Sequence, residues 1–152
     1  MAHFAELESK VDPTGHTADT HLIVKRVVVV DNAHVESDEH VSGENWCSTF
    51  FGGGNWKQTS YNHNFRKKYA GVGDVYDSAK NKFLSPQPFA SWSLDGNDDW
   101  QSPVAHQTDA SAEHGLNYHI SWDEDNQRWT GIKRSDQSNW NWDASGLTWV
   151  SA

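Results

Sequence analysis

The sequence predicts a β-rich α+β protein, in which a small N-terminal strand and helix unit is followed by tandem antiparallel β-hairpins. In the N-terminal half, residues 22–30 are rich in β-branched side chains, and the apolar residues of segment 43–51 recur at the spacing of a helix. The second half repeats one pattern four times: a large apolar or aromatic residue, Asp, a polar turn and a second large ring. The copies begin at Tyr76, Leu94, Trp122 and Trp142.

Local patterns place the strands of the N-terminal unit. Alternating apolar and polar residues predict a strand at 3–8, and the polar segment 9–20, which contains Pro and Gly, predicts a long loop. Residues 22–30 form the strongest predicted strand, and the valine run 27–30 predicts burial on both of its faces. A further strand is predicted at 56–61.

Between these strands the sequence predicts one short helix, over residues 43–51. Helical spacing would place Trp46, Cys47 and Phe50 on one face of this helix. Three consecutive glycines, 52–54, then end it, as glycine commonly does at the C-terminus of a helix.

The register of the four repeats follows from the spacing of their large residues. If these residues face each other across a ladder, each hairpin closes with a short polar loop. The predicted facing pairs are Tyr76–Phe83, Leu94–Trp100, Trp122–Trp129 and Trp142–Trp149, with Asp77–Lys82 and Asp123–Arg128 beside them. Asn126 and Gly146 occupy the loop position where we expect a left-handed backbone. An isolated hairpin is marginal in water, so these units must pack on each other, on the N-terminal unit or on a partner.

The change of pattern near Gly71 and Gly73 predicts a division of the chain. Residues 1–72 would form the N-terminal α+β unit and residues 73–152 the hairpin repeat region. The same pattern also fits one continuous small domain, because 152 residues suffice for one domain or for two very small ones.

Composition excludes several classes of function. The net charge of −9 argues against a nucleic-acid partner, because phosphate binding needs a positive surface. The single cysteine, Cys47, rules out an intrachain disulfide framework and fits synthesis in a cytosol. The longest apolar stretch, 22–30, is interrupted by Lys25 and Arg26 and is too short to span a membrane. The N-terminus lacks the pattern of a signal peptide.

No motif in the sequence predicts catalysis, a bound cofactor or a metal site. The nine histidines do not form a zinc-binding pattern, although a metal at a subunit interface stays open. Residues 95–99 resemble the start of a calcium loop, but Trp100 and His106 stand where that loop needs Gly and Glu. The glycines at 52–54 lack the Gly-Lys-Ser/Thr ending of a phosphate loop. We therefore expect no catalytic, cofactor-binding or metal-binding residues, and no enzyme activity.

Three tryptophans outside the predicted pairs are candidate interface residues: Trp46, Trp92 and Trp140. Exposed indoles could stack on the rings of a carbohydrate. The more economical interpretation is that they fill a core that is short of aliphatic side chains, since only 36% of the chain is apolar.

One basic cluster, Arg66, Lys67 and Lys68, interrupts the acidic chain and is a further candidate interface. It is interpreted equally well as an exposed strand face and as a docking patch for an acidic neighbour, which charge complementarity would favour.

Several segments are familiar in combination: AHFAEL at 2–7, VVVVDN at 27–32, FGG at 51–53, WKQTSYN at 56–62, NFRKKYAG at 64–71, PFASWSLD at 88–95 and the hairpin that begins at Trp122. Together they resemble a family of small proteins encoded by marine tailed phages, including cyanophages, whose members are described as structural or hypothetical proteins. The resemblance covers most of the chain and assigns no chemical role to any residue. The chain departs from the family pattern in its longer 9–20 loop and in an additional hairpin at 140–142.

The resemblance implies a virion component without enzyme activity, made in the host cytoplasm and located in the virion. Its partners would be other virion proteins of the capsid or tail, with which it would form an oligomeric assembly. The acidic charge and the short apolar stretch described above add the expectation that it binds neither nucleic acid nor membrane. It would serve as a capsid decoration or cement protein, or as a tail or fibre component. The alternative is an aromatic-rich glycan-binding module that attaches to a host receptor through Trp92 or Trp140.

Overall fold

The computed structural model describes residues 1–36, 40–106 and 117–152. The chain divides into two compact units, Met1–Pro86 and Gln87–Ala152, which are treated in turn. β-Strands with antiparallel pairing are the dominant regular structure of the described residues, and the described α-helical structure is one short helix. This confirms the prediction of a β-rich fold.

The first unit is built on a five-stranded antiparallel sheet. Its strands are β1 (Ala2–Val11), β2 (Thr20–Val30), β3 (Asn55–Thr59), β4 (Val75–Asp77) and β5 (Lys82–Leu84). Their order in the sheet is β3-β1-β2-β4-β5, so β3 and β5 form its two edges. The long β1–β2 hairpin at its centre extends to Val11, which shortens the loop that the sequence predicts at 9–20.

The valine run of β2 is not buried on both faces, contrary to the sequence-based expectation. Val29 is 56% exposed, and Val30 is buried. The register between β1 and β2 shifts by one residue between Glu6 and Leu7, where Lys25 of β2 faces no partner in β1. Side chains alternate between the faces of a strand, so consecutive valines in a sheet that is covered unevenly differ in burial.

The helix α1 (Val41–Phe50) covers one face of this sheet and follows a short 3₁₀ helix (Asn32–His34). Its buried positions are Gly43 and Cys47, one turn apart. Cys47 joins a core cluster with Phe4 and Trp56. The helix was predicted at 43–51, so its existence and its end beside Phe51 are confirmed.

The opposite face of the sheet carries a second core cluster: Ala5, Leu7, Val24, Ala70, Tyr76 and Phe83. Ala70 comes from the segment between β3 and β4, which is therefore packed over this face. Its backbone N–H donates to the buried Thr59 hydroxyl over 2.8 Å, which ties the segment to β3.

The second unit contains a two-stranded sheet of β6 (Ser93–Leu94) and β7 (Trp100–Gln101), and a four-stranded antiparallel sheet. The strands of the larger sheet are β8 (Tyr118–Asp123), β9 (Arg128–Lys133), β10 (Asn139–Asp143) and β11 (Thr148–Ser151). Its order, β11-β10-β9-β8, is that of the sequence reversed. The buried rings of Trp129, Trp142 and Trp149 form its core.

All of the predicted facing pairs are observed, including Trp122–Trp129, Trp142–Trp149 and Tyr76–Phe83. Leu94 faces Trp100 in the shorter hairpin. The regular spacing of the large residues therefore predicted the register correctly.

The left-handed loop position was predicted one residue too early. Positive φ values occur at Asn81, Gln127 and Leu147, each directly before the second strand of its hairpin. At Gly146 an added Cβ would lie 2.8 Å from the Asp143 carboxylate, which accepts the Gly146 N–H.

The division of the chain differs from the predicted boundary between residues 72 and 73. The first compact unit ends at Pro86, because β4 pairs with β2 and brings the β4–β5 hairpin into the first sheet. Leu22 faces Tyr76 in this pairing, so the first of the four repeats extends the N-terminal sheet. The three later copies lie in the second unit. No helix among the described residues is long and apolar enough to cross a membrane.

Candidate functional site

Trp92 is packed into the aromatic cluster of the second unit. Its ring centroid lies 6.0 Å from that of Trp122 and 5.9 Å from that of Trp129, both in edge-on contacts. Phe89 contacts the same indole at 5.5 Å. The indole Nε1 is buried and has no hydrogen-bond partner in the described part of the chain. Most of this ring is therefore engaged in packing.

Trp140 lies at the margin of the same cluster and is half-buried. Its Nε1 donates to the Ser138 hydroxyl over 2.7 Å, and its ring meets Tyr118 edge-on at 6.1 Å. The Lys133 ammonium lies 5.5 Å from the ring centroid, within range of a cation–π contact. These neighbours fix the orientation of the indole.

Arg66 lies in the loop between β3 and β4 and has a left-handed backbone, with φ of 52°. Its side chain is 8% exposed, and its Nη1 donates to Glu44 Oε1 over 2.7 Å and to the Gln58 carbonyl over 2.9 Å. Its own carbonyl accepts the Phe83 N–H over 3.0 Å. Gln58 belongs to β3 and Phe83 to β5, so Arg66 connects the two edges of the sheet.

The remaining basic residues of the cluster follow the same loop. Lys68 Nζ lies 2.8 Å from Asp74 Oδ2 and donates to the Ser85 hydroxyl over 3.1 Å. Lys67 also has a left-handed backbone, with φ of 70°. The three residues thus form a bent loop, and Arg66 and Lys68 neutralise carboxylates of their own unit. The interpretation as an exposed strand face does not describe this geometry.

Trp46 belongs to a row of stacked rings that runs from the 3₁₀ helix along α1 to the buried Trp56 of β3. We call this row the aromatic ladder, and its members are His34, Trp46, Phe50, Phe51 and Trp56. Successive ring centroids lie 4.6, 4.7, 4.9 and 4.8 Å apart. Three of the four contacts are stacked and the Phe50–Phe51 contact is edge-on. Trp46 and Phe50 are one helical turn apart, which the spacing predicted.

The aromatic ladder leaves apolar surface exposed in the isolated chain. Phe50 is 66% exposed and Phe51 is 36% exposed, and Val41 at the start of the helix is 55% exposed. At the other end, the Arg26 guanidinium lies 4.6 Å from the Phe51 ring centroid and also pairs with Glu6. An arginine held between a ring and a carboxylate completes this surface.

A second surface feature is an open cavity of about 400 Å³, which we call the Tyr61 cavity. The ends of β1 and β3, the 3₁₀ helix and the loop that follows β3 enclose it. The residues that line it include three with rings and three with side-chain amides: His3, Tyr61 and Phe65, and Asn32, Gln58 and Asn62. No Asp, Glu, Lys or Arg is among the described residues that line it.

The chemistry that the described residues could support is limited. They contain no group of three or more His, Cys, Asp or Glu side chains that could hold a metal ion. Burial, with a smaller effect of the Glu44 carboxylate, raises the pKa of the Cys47 thiol to about 11. A buried thiol with that pKa stays protonated near neutral pH and is a poor nucleophile.

No protein-family model, no curated protein and no solved structure matches this chain. The geometry of the chain itself therefore has to support any functional proposal.

Sequence reasoning missed most of this geometry. It singled out Trp46 but not the aromatic ladder, because His34 and Trp56 reach the helix from separate elements. It missed the Tyr61 cavity for the same reason, since the lining residues come from four segments. The available signal was the density of aromatic and amide residues at 56–65.

Proposed function

We propose that this chain is an accessory structural protein of a bacteriophage virion, which acts by binding other virion proteins. It would be a capsid decoration or cement protein, or a component of the tail or a fibre. The resemblance to small structural proteins of marine tailed phages supports this proposal.

The observation that carries the proposal is the exposed part of the aromatic ladder, formed by Phe50 and Phe51. Aromatic residues and arginine are enriched in the buried centres of protein interfaces, where a few of them supply most of the binding energy. Phe50 and Phe51 are rings of this kind, exposed in the isolated chain and backed by the stacked Trp46. Arg26 lies beside them with its charge already paired. A virion partner would cover this surface.

The first test is the composition of the particle. Purified virions of the phage that encodes the chain should contain it by quantitative mass spectrometry, in a fixed copy number. Imaging of the intact particle then gives its position: a copy number matched to the capsomers would place it on the head, and six, twelve or a multiple of three near one vertex would place it at the tail or on a fibre. Virions without the chain would refute the proposal.

The second test concerns the surface that binds. Particles assembled with the Phe50→Ala/Phe51→Ala double variant should incorporate much less of the chain than particles with the wild type. The matched control is Tyr61→Ala, which removes a comparably exposed ring, 64% exposed, outside the aromatic ladder. Equal incorporation of the wild type and the double variant would exclude the aromatic ladder as the binding surface.

Glycan binding through Trp92 or Trp140 is the alternative function, and it has less support from the geometry. Both indoles pack against other rings of the second unit. A Trp92→Ala/Trp140→Ala variant that still assembles should lose binding to host lipopolysaccharide if this alternative holds, and unchanged host adsorption would reject it.

A further inference from the structure

We propose that the Tyr61 cavity binds a neutral sugar ring. This proposal is independent of virion assembly, because it rests on residues outside the aromatic ladder. The volume of the cavity, about 400 Å³, falls within the range of small-molecule sites, roughly 300–1,000 Å³. The lining combines aromatic rings with uncharged polar groups, and each of these features favours a sugar.

The aromatic wall of the cavity is rigid although it is exposed. Tyr61 stacks on His3 with ring centroids 5.6 Å apart and meets Tyr69 edge-on at 5.3 Å. His3 in turn meets Tyr69 edge-on at 5.4 Å. Tyr61 nevertheless remains 64% exposed. A flat ring that is already held by neighbours loses little conformational entropy when a ligand covers it.

The loop that carries Tyr61 is also held in place. Asn64 N–H donates to the Ser60 hydroxyl over 2.9 Å, and His63 N–H donates to the Ser60 carbonyl over 3.0 Å. Tyr69 N–H donates to His63 Nδ1 over 3.0 Å. These bonds define the position of Tyr61 before any ligand arrives.

Three amides supply hydrogen-bonding groups of both kinds. Asn32 and Asn62 are exposed, and their side chains make no hydrogen bond within the described part of the chain. Gln58 Oε1 lies 2.6 Å from His40 Nδ1, which leaves the NH₂ group of Gln58 as a donor. The amides of Asn32 and Asn62 each offer donors and an acceptor, and that of Gln58 adds a donor; sugar hydroxyls require both kinds of group.

The described lining contains no Asp, Glu, Lys or Arg side chain, and its one formal charge is the terminal amino group of Met1. This composition favours a neutral sugar over other classes of ligand. Phosphates and carboxylates are bound by arginine or lysine, and none of the described lining residues is either. The lack of carboxylate side chains in this lining also disfavours a metal ion. A sugar has apolar C–H faces that suit the Tyr61 ring and hydroxyls that suit the amides, so it matches both parts of the lining.

The test uses the full chain with its affinity tag at the C-terminus, because Met1 lines the cavity. The ¹H–¹⁵N signals of the three side-chain amides are followed during titration with methyl glucoside, methyl galactoside, methyl mannoside and N-acetylglucosamine. At least one of these sugars should shift the signals of Asn32, Gln58 and Asn62 in a saturable manner, with a Kd of about 1 mM. Adenosine and inorganic phosphate serve as competing ligand classes.

Two variants locate the site. Tyr61→Ala should weaken the titrated affinity by roughly tenfold, while Tyr61→Phe, which keeps the ring, should stay within about threefold of the wild type. Phe50→Ala removes a ring of similar exposure from the aromatic ladder and should leave binding unchanged.

Three results would overturn the proposal. They are a complete absence of amide shifts with all four sugars, shifts with adenosine or phosphate only, and full affinity in a folded Tyr61→Ala variant. None of them would affect virion incorporation, which depends on the other surface.

Discussion

Arg66 shows how much of the first unit depends on one side chain. Its guanidinium donates to the edge strand β3 and to the Glu44 carboxylate of α1, and its carbonyl accepts from the opposite edge strand. Its Nε also donates to Asn81 in the β4–β5 turn over 2.9 Å. Lysine could not replace these contacts, because only the planar guanidinium offers several donors in fixed directions.

Arg66→Met should therefore destabilise the chain by about 3 kcal/mol, because it leaves the Glu44 carboxylate partly buried without this partner. The measurement is the free energy of unfolding in urea. The matched control is Arg128→Met, which breaks an ion pair to Asp123 whose arginine is 43% exposed and should cost less than about 1 kcal/mol. Equal losses of unfolding free energy from the two substitutions would show that Arg66 contributes no more to stability than an exposed ion pair.

Cys47 gives a second prediction at this scale. Its thiol is fully buried and burial raises its pKa to about 11, so native chains at pH 7 should react with a disulfide reagent more than about a hundredfold more slowly than unfolded chains. Absorbance of the released chromophore measures the rate. A native rate close to the unfolded rate would show that the pocket of Cys47 opens freely.

The sequence identified Arg66 only as part of a basic cluster. Charge is visible in a sequence, but its partners are not, since Glu44, Gln58 and Phe83 lie between 8 and 22 positions away along the chain. The same limit applies to Trp92 and Trp140, whose rings were recognised as unpaired in the hairpins. Their packing depends on tertiary contacts that spacing alone does not encode.

Among the elements, α1 is distinguished by its close approach to the sheet. A Cβ added at Gly43 would collide with the ring of Phe4, which is completely buried. Alanine is intrinsically the better helix former by about 1 kcal/mol, so propensity and packing oppose each other at this position.

We expect packing to dominate, and Gly43→Ala to lower the free energy of unfolding by about 1–2 kcal/mol, because a buried ring cannot move aside without strain. The control is Gly96→Ala, where an added Cβ meets no atom within 4 Å and the backbone needs no positive φ. A stabilised Gly43→Ala variant would mean that α1 can shift away from the sheet.

The hairpin loops of the second unit depend on aspartates that accept hydrogen bonds. The Ser145 hydroxyl and the Gly146 and Ser145 N–H groups lower the pKa of Asp143, and contacts led by Asn126 lower that of Asp123. A carboxyl whose folded pKa is depressed stabilises the fold above its unfolded pKa of about 3.9 and loses that effect as pH falls through the folded pKa.

The protection of the Ser145 and Gly146 amides against hydrogen exchange should therefore stay constant above about pH 4. It should fall when the solution is acidified further. Asp143→Ala should show weaker protection at neutral pH and a smaller additional loss in acid. Protection that increases below pH 4 would have the wrong sign for this mechanism.

Hairpins were the elements that sequence predicted best. The register was correct because two large residues and a fixed loop length leave few alternatives, as in Trp122–Trp129. The predicted loop conformation was wrong, because the left-handed backbone occurs at Gln127 and Leu147 and not at Asn126 and Gly146. Residue preference favours Asn and Gly there, but loop geometry decided the position.

At the scale of the whole molecule, the two units have separate sheets and separate core clusters. The fragment Met1–Pro86 contains all five strands of its sheet and α1, so it should fold without the rest of the chain. We expect a dispersed NMR spectrum and a cooperative thermal transition from this fragment.

A control fragment that ends at residue 72 should fail to fold cooperatively, because it lacks β4 and β5 and with them Tyr76 and Phe83 of the core. Cooperative folding of the shorter fragment would instead favour the boundary predicted from the sequence. That boundary followed the start of the repeats, and a sequence repeat does not reveal which sheet each copy joins.

The bond network of Arg66 has a consequence for how the chain behaves in a crowded solution. An open sheet edge presents N–H and C=O groups that can recruit a strand from another molecule, which is a common route to aggregation. In β3 the Gln58 N–H donates to Glu44 and the Gln58 carbonyl accepts from Arg66, and in β5 the Phe83 N–H donates to the Arg66 carbonyl. Arg66 and Glu44 therefore occupy backbone N–H and C=O groups of both edge strands, and these groups are no longer open to a strand from another molecule. Protection against intermolecular strand pairing is built into the fold at this point.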